Sequence, residues 1–233
     1  NLARERALIT ANHIVPALLS KGIKGQARPA FSDEEVRTLL GYLDTWQKSS
    51  YTKHTHQMRI LCGAYVKFLL YTGVRHGTEA LPLRWKHIQW HWVGKKKYLR
   101  IWVSGKTGPR YLIAKHEVIE VLEGIIKWHK LPYKNLNTVI EARLDRRVFV
   151  LPDNTILSHI ENIFRNLMVR SHLLMDTSGQ RRTLYSLRHT YATQALAKGI
   201  DIHTLAKQMG TSVGMIERHY SKLTPMLKAE ILG

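Results

Sequence analysis

The residues best suited to chemistry stand in the last quarter of the chain, Thr183 to Pro225. Arg188 and His189 open an apolar-periodic segment, a second short segment follows a Gly-Ile-Asp break, and Tyr220 closes a third. With Ser186 as an N-cap, Arg188 and His189 fall in a first helical turn, beside the positive end of a helix dipole, where an anion is favoured. The layout reads as a site that handles phosphate. Upstream, Lys106 lies in the turn Gly105-Lys-Thr-Gly108, where a flexible stem can swing its ammonium over a neighbouring site. That turn is not a nucleotide-binding loop, because no glycine stands where G-x-x-x-x-G-K-[ST] needs its first one.

Other chemistries find little support. The single cysteine, Cys62, lies among Leu61, Ala64, Tyr65, Phe68 and Leu69, and reads as a buried thiol; a disulfide framework and a cysteine-based zinc site are excluded. The chain has 13 histidines, but His54 and His56 are two apart near a helix start, and His87 and His91 lie in an expected strand. None forms an H-x-x-x-H or H-E-x-x-H pair on a helix face, so neither a metal nor another cofactor is expected. Against 17 acidic residues stand 36 Lys and Arg, a net charge of +19 with a pI near 10.2, which points to nucleic acid. The basic residues run along the whole chain (Lys95 to Lys97, Arg143, Arg146 and Arg147, Arg181 and Arg182), as on a protein that tracks a duplex backbone. No apolar run of about eighteen residues is present, and no membrane association is expected.

These side chains must be carried by a mostly helical scaffold. Leu2 to Ser20 is amphipathic, and the glycine-, proline- and lysine-containing KGIKGQARPA after it reads as a linker. Ser32-Asp-Glu-Glu35 is a capping box that opens a helix with Val36, Leu39, Leu40 and Leu43 on one face. A second helix is expected from His54 to Tyr71, stopped at Gly73, with Trp46 between the two in the core. From His87 the period changes to two: HIQWHWV, a GKKK turn, YLRIWV, a GKTGP turn and RYLIA predict three antiparallel strands. Helices are then expected at Glu117–Trp128 and Ser158–Arg170, with a polar, aperiodic region to Arg147 and a buried strand or connector at Val148–Leu151 between them. After a loop from Met175 to Thr183 come helices at Ser186–Lys198, Ile202–Gln208, Val213–Tyr220 and Pro225–Ile231, with Gly199 and Gly210 as stops. The fold class is mainly α with a small three-stranded antiparallel sheet (α+β).

Four motifs now stand in order: T-G-V-R-H-G-T-E-A-L-P-L-R-W at Thr72 to Trp85, L-R-H-T-Y-A-T at Leu187 to Thr193, M-G-T-S at Met209 to Ser212, and Tyr220. Together, over about residues 30 to 233, they resemble the catalytic domain of tyrosine recombinases, the phage-integrase family. The resemblance implies that residues 1–28 are the end of a core-binding domain plus linker, and that 29–233 form a catalytic domain. It implies roles for Arg75 and Arg188 as the two phosphate-binding arginines, for Lys106 as general acid, for Tyr220 as nucleophile, and for Glu79 and His189 as supports. Tyr185 and Thr211 stand where the family commonly has His and His or Trp. A phenol and a hydroxyl donate to phosphate but accept protons poorly near neutral pH, so the departures touch general-base assistance and leave the phosphate cradle intact. His219 would point away from Tyr220 on a helix.

The function so implied is site-specific cutting and rejoining of DNA through a covalent 3′-phosphotyrosine, for integration or excision of a mobile element. The expected partner is double-stranded DNA carrying a specific recombination site. The protein would be a monomer in solution and a multimer on DNA, with Leu223 to Ile231 docking on a neighbouring subunit, in the cytoplasm of a bacterial host. A type IB topoisomerase-like enzyme and a catalytically impaired DNA-binding module remain as alternatives.

Overall fold

In the computed structural model, residues 29–156 and 159–220 are described. The amphipathic segment Leu2 to Ser20, the linker as far as residue 28 and the segment Pro225 to Ile231 lie outside them.

The first described helix, α1 (Asp33–Lys48), starts where its capping box places it. The Glu35 N–H donates to the Ser32 hydroxyl at 3.1 Å, and the Ser32 N–H donates back to the Glu35 carboxylate at 2.9 Å. Helix α2 (Lys53–Thr72) is capped by Thr52 and ends at Gly73, whose N–H donates to the Leu69 carbonyl at 3.0 Å. Gly73 has φ +66°, and a Cβ there would lie 2.3 Å from the Tyr191 ring, so both conformation and packing require glycine. A 3-10 turn, Trp85–His87, leads into β1 (Ile88–Val93), β2 (Lys96–Gly105) and β3 (Gly108–Ile113). They form one antiparallel sheet in the order β1-β2-β3, with Val93 opposite Lys96 and Gly105 opposite Gly108. The connecting turns are therefore Gly94-Lys95 and Lys106-Thr107, shorter than the expected ones, and Lys96 and Lys97 belong to the strand.

Helix α3 (Glu117–Trp128) follows as expected, then α4 (Leu136–Glu141) in the polar region before Arg147, which has no clear period. Its signal was local: Asn135 accepts from the Thr138 N–H at 3.2 Å, an N-cap with too few residues after it to show a period. Val148 to Leu151 is a buried connector with one bridge, Val150 to Ile156. Helix α5 (Ile160–Arg170) is followed by α6 (Leu184–Ala197), α7 (Ile202–Met209), capped by Asp201 and stopped at Gly210, and α8 (Val213–Tyr220).

The start of α6 corrects the sequence reading. Thr183, not Ser186, is the N-cap; Ser186 is the N3 residue, whose hydroxyl accepts from the Thr183 N–H at 3.1 Å. Arg188 and His189 consequently sit in the second turn and owe little to the helix dipole, which acts within the first turn.

Two apolar clusters organise the described chain. The larger takes residues from α1 to α5, the inner sheet face (Ile88, Leu99, Ile101, Val103, Leu112) and the start of α6 at Leu184 and Leu187. Trp46 and Cys62 are fully buried in it, as expected, and the Trp46 indole N–H donates to Asn166 at 3.0 Å. The smaller is formed by Tyr191, Ala192, Ala195 and Leu196 of α6, Leu205, Ala206 and Met209 of α7, and Ile216 of α8. Helix α6 thus crosses from one cluster to the other, and Arg188 lies at the crossing.

Candidate active site

Helix α7 ends with carbonyls that have no partner within the helix, the usual condition of a helix C-terminus. Two are satisfied locally, by the N–H groups of Gly210 (to Lys207) and Thr211 (to Ala206). The next three accept from three arginines in succession. Arg110 Nε donates to Gln208 O at 3.1 Å, Arg188 Nη2 to Met209 O at 2.8 Å, and Arg75 Nη2 to Gly210 O. Cations are favoured at this negative end of the helix. Gly210 has φ +63°, and a Cβ on it would lie within 2.4 Å of the Arg110 guanidinium, so the turn that gathers the arginines needs glycine twice over.

Each arginine is held from a second side. Arg188, with 4% exposure, donates through Nη1 to the Gly73 carbonyl at 2.6 Å, which pins α6 to the end of α2. Arg75 Nη1 donates to Glu79 Oε1 at 2.6 Å and to Thr107 Oγ1 at 3.1 Å. Thr107 donates in turn to Gly210 O at 3.0 Å, so the β2–β3 turn is tied to the same place. Arg110 grips Glu79 with both Nη atoms, at 2.7 and 2.9 Å. The Gln208 side chain completes the junction along the edge of β3, accepting from Ile113 N at 3.0 Å and donating to Ile113 O at 2.7 Å.

Three guanidiniums against one carboxylate leave the junction two positive charges in excess. Burial alone would raise the pKa of Glu79, whose side chain has no exposed surface. The hydrogen bonds from Arg110 and from the Arg75 backbone and side chain overcome that and hold it at about 2. Burial, with Arg75 and Arg110 nearby, lowers the pKa of Arg188 from the ordinary arginine value.

Beside this junction three rings stand in a row: Tyr185 edge-on to His189 at 5.1 Å, and His189 edge-on to His219 at 5.7 Å. Burial, then the neighbouring His219 and Arg188, lower the His189 pKa to about 4, so it is neutral at pH 7. Tyr185 is exposed. Thr211 follows Gly210 directly, and Lys106 is exposed at the tip of the turn next to Thr107. Tyr220 is the last residue of α8.

The structure therefore brings Arg75, Glu79 and Arg188 together at the α7 end, with Thr211 and the Lys106 turn adjoining, and places His189 between Tyr185 and His219. Arg110, Thr107 and Gln208 were not foreseen. Arg110 carried a signal: it shares strand parity with Leu112 and so points to the inner face, where a charge requires a partner. Arg182, counted among the residues that could track a duplex, is instead 3% exposed, paired to both Glu35 oxygens at 2.7 and 2.8 Å and stacked over Phe31 at 4.6 Å.

The chain belongs to the phage integrase family, whose sequence profile matches residues 30–225. Among solved structures it resembles the XerH site-specific recombinase bound to its difH substrate in a pre-cleavage complex, at 20% identity and a TM-score of 0.59, covering 84% of this chain and 51% of that one. The XerA recombinase is similar at 21% identity and a TM-score of 0.60, covering 97% and 70% respectively. The catalytic domain of bacteriophage HP1 integrase is similar at 16% identity and a TM-score of 0.52, covering 88% and 94%. The chain spans about half the length of the XerH protein it matches. At these identities the likeness is one of fold: mainly helical, with the one three-stranded antiparallel sheet. The comparison with curated proteins found no match.

Proposed function

We propose that the chain is the catalytic part of a site-specific DNA recombinase, with Tyr220 as nucleophile and the α7 junction as its phosphate cradle. The observation that carries this reading is the convergence of Arg75 and Arg188 on consecutive carbonyls, Gly210 and Met209, ahead of the helix that ends in Tyr220. A guanidinium has five N–H donors. Arg75 uses three of them, on Glu79, Thr107 and Gly210, and Arg188 two, on Gly73 and Met209. The remaining donors suit the two nonbridging oxygens of a phosphodiester, on which charge grows during attack.

In this mechanism the Tyr220 oxygen forms a bond to phosphorus and the bond to the 5′ oxygen breaks. The phenol proton is released to water, and Lys106 gives a proton to the departing 5′ oxygen, which leaves as a hydroxyl. A phenol of ordinary pKa about 10 is mostly protonated at pH 7, so attack requires a positive field at the phosphate that favours the developing phenolate. Attack by a 5′ hydroxyl on the phosphotyrosine reverses the steps, so rejoining needs no nucleotide. Glu79 holds Arg75, and His189 orients Tyr185. Tyr185 and Thr211 donate to the phosphate, since neither accepts a proton readily at this pH. Residues 29–233 form the catalytic domain and 1–28 the end of a preceding one. The working complex is a multimer on DNA.

A nicked duplex that loses its 5′ fragment after cleavage tests the reading. Wild-type protein should accumulate a covalent 3′ adduct, and Tyr220→Phe should form none. Binding without adduct by the wild type would leave a DNA-binding module, and relaxation of plasmids lacking any target site would favour a topoisomerase.

A further inference from the structure

Glu79 is one carboxylate shared by two arginines. Its Oε1 accepts from Arg75 Nη1 at 2.6 Å and from Arg110 Nη1 at 2.7 Å; its Oε2 accepts from the Arg75 backbone N–H and from Arg110 Nη2, both at 2.9 Å. The parallel fork from Arg110 fixes the plane of the carboxylate, because two N–H groups in one rigid plane meet both oxygens at once. Gly105 closes a further side: a Cβ there would stand 2.9 to 3.0 Å from Glu79 Cγ and Oε1. The carboxylate so held then meets Arg75 from one direction only, while Arg110 Nε reaches the Gln208 carbonyl one residue before that of Met209. Arg110 therefore references Arg75 and the α7 end to the same strand.

We propose that Arg110 is a positioning residue for Arg75: by fixing the Glu79 carboxylate and the end of α7 together, it sets where the Arg75 guanidinium meets the attacked phosphate. The proposal rests on the recombinase reading above. Arg110 touches no reacting atom; its effect passes through Glu79. Lysine in its place keeps the charge but offers a single ammonium, which cannot make the parallel pair. Glu79 then turns toward Arg75, and the Arg75 guanidinium shifts away from Gly210. A misplacement of about 1 Å in a positioning group can cost on the order of 100-fold in rate.

The test compares wild type, Arg110→Lys and Arg110→Gln in single-turnover cleavage of the nicked duplex, with DNA affinity and thermal unfolding measured beside it. The expected result is a rate about 10- to 100-fold lower in both variants with affinity within about threefold. Three substrates separate the causes. With a methylphosphonate at the cleaved position, one nonbridging charge is gone and the demand on Arg75 falls, so the deficit should shrink to about threefold or less. With a 5′-bridging sulfur, which departs without a proton, the deficit should persist. Equal deficits on the phosphodiester and the methylphosphonate would overturn the proposal in favour of a general structural role, as would variants that fail to fold. Recovery with the sulfur substrate would mean that Arg110 serves Lys106 instead, and unchanged rates would mean that it positions nothing. No adduct with wild type would sink the recombinase reading and this inference with it, whereas a normal wild-type adduct with unaffected variants would remove the inference alone.

Discussion

The two apolar clusters differ in how they are held. The larger is filled by bulky side chains, among them Trp46, Trp85, Tyr65, Phe68, Phe149 and Phe164, in a cluster that draws on α1 to α5, the start of α6 and the sheet. The smaller relies on Tyr191, three alanines and a few aliphatic residues, and burial of so little apolar surface stabilises it weakly. Polar ties across the seam make up the difference: Arg188 to Gly73, Arg110 and Arg75 to the α7 end, Gln208 to the edge of β3, and Lys115 to Gln194 at 3.2 Å. The α1 approach is tied in too, by Phe31 N–H donating to the buried Thr190 hydroxyl at 2.9 Å. The arginines of the proposed cradle are thus also the joint between the clusters. A phosphate bound there would join the two more firmly.

Truncating one leucine in each cluster should break the comparison most visibly. Leu122 and Leu205 are both fully buried, and each change to Ala should cost about 2–5 kcal/mol locally. Leu122→Ala should lower the unfolding midpoint of the whole domain while leaving cleavage per folded molecule unchanged. Leu205→Ala should shift the midpoint less but cut adduct formation about tenfold, because opening α6 to α8 disperses the arginines. Measuring both quantities on both variants checks this; the same pattern for the two leucines would make the clusters one unit.

A smaller effect should come from pH. His189 has a folded pKa of about 4 against an ordinary value of 6.5, so below pH 6.5 the unfolded chain takes up a proton that the folded one refuses. Its contribution is fully present above pH 6.5 and lost as pH falls towards 4, roughly 3 kcal/mol over the window. Glu79, depressed from 4.5 to about 2, acts with the same sign in a lower window, so it leaves the upper one clear. Burial lowers the pKa of His76, His87 and His129 as well, so the wild type should lose stability steadily between pH 7 and 5. His189→Gln should flatten that slope without abolishing it, as urea unfolding at a series of pH values would show.

Much of the fold was legible because its signals are local. The Ser32–Glu35 box, the glycine after α2, the change to period two at His87 and the stop at Gly210 each declare an element within a few residues. The start of α6 was misread because Ser186 and Thr183 are both good caps, and the choice depends on which side chain reaches back. Arg75, Arg188 and the supporting Glu79 could be named through the family resemblance, but not the backbone carbonyls and the strand arginine that hold them. The carbonyls of residues 208 to 210 carry no mark in the sequence, and Arg110 looks like any basic strand residue until its parity is compared with Leu112. Arg182 shows the opposite error: a basic pair on paper, a buried ion pair in the fold.

Hydrogen exchange of the free protein and of its complex with a target duplex tests the central claim, that the cradle lies on the seam and is closed by phosphate. In the free protein, amides of α7 and α8 should exchange faster than those of α2 and α3, and bound duplex should slow α7 and α8 while leaving α2 and α3 nearly unchanged. Arg188→Lys should bind DNA yet lose most of that protection. Equal protection of the two regions in the free protein, with no change at α7 and α8 on binding, would contradict the account.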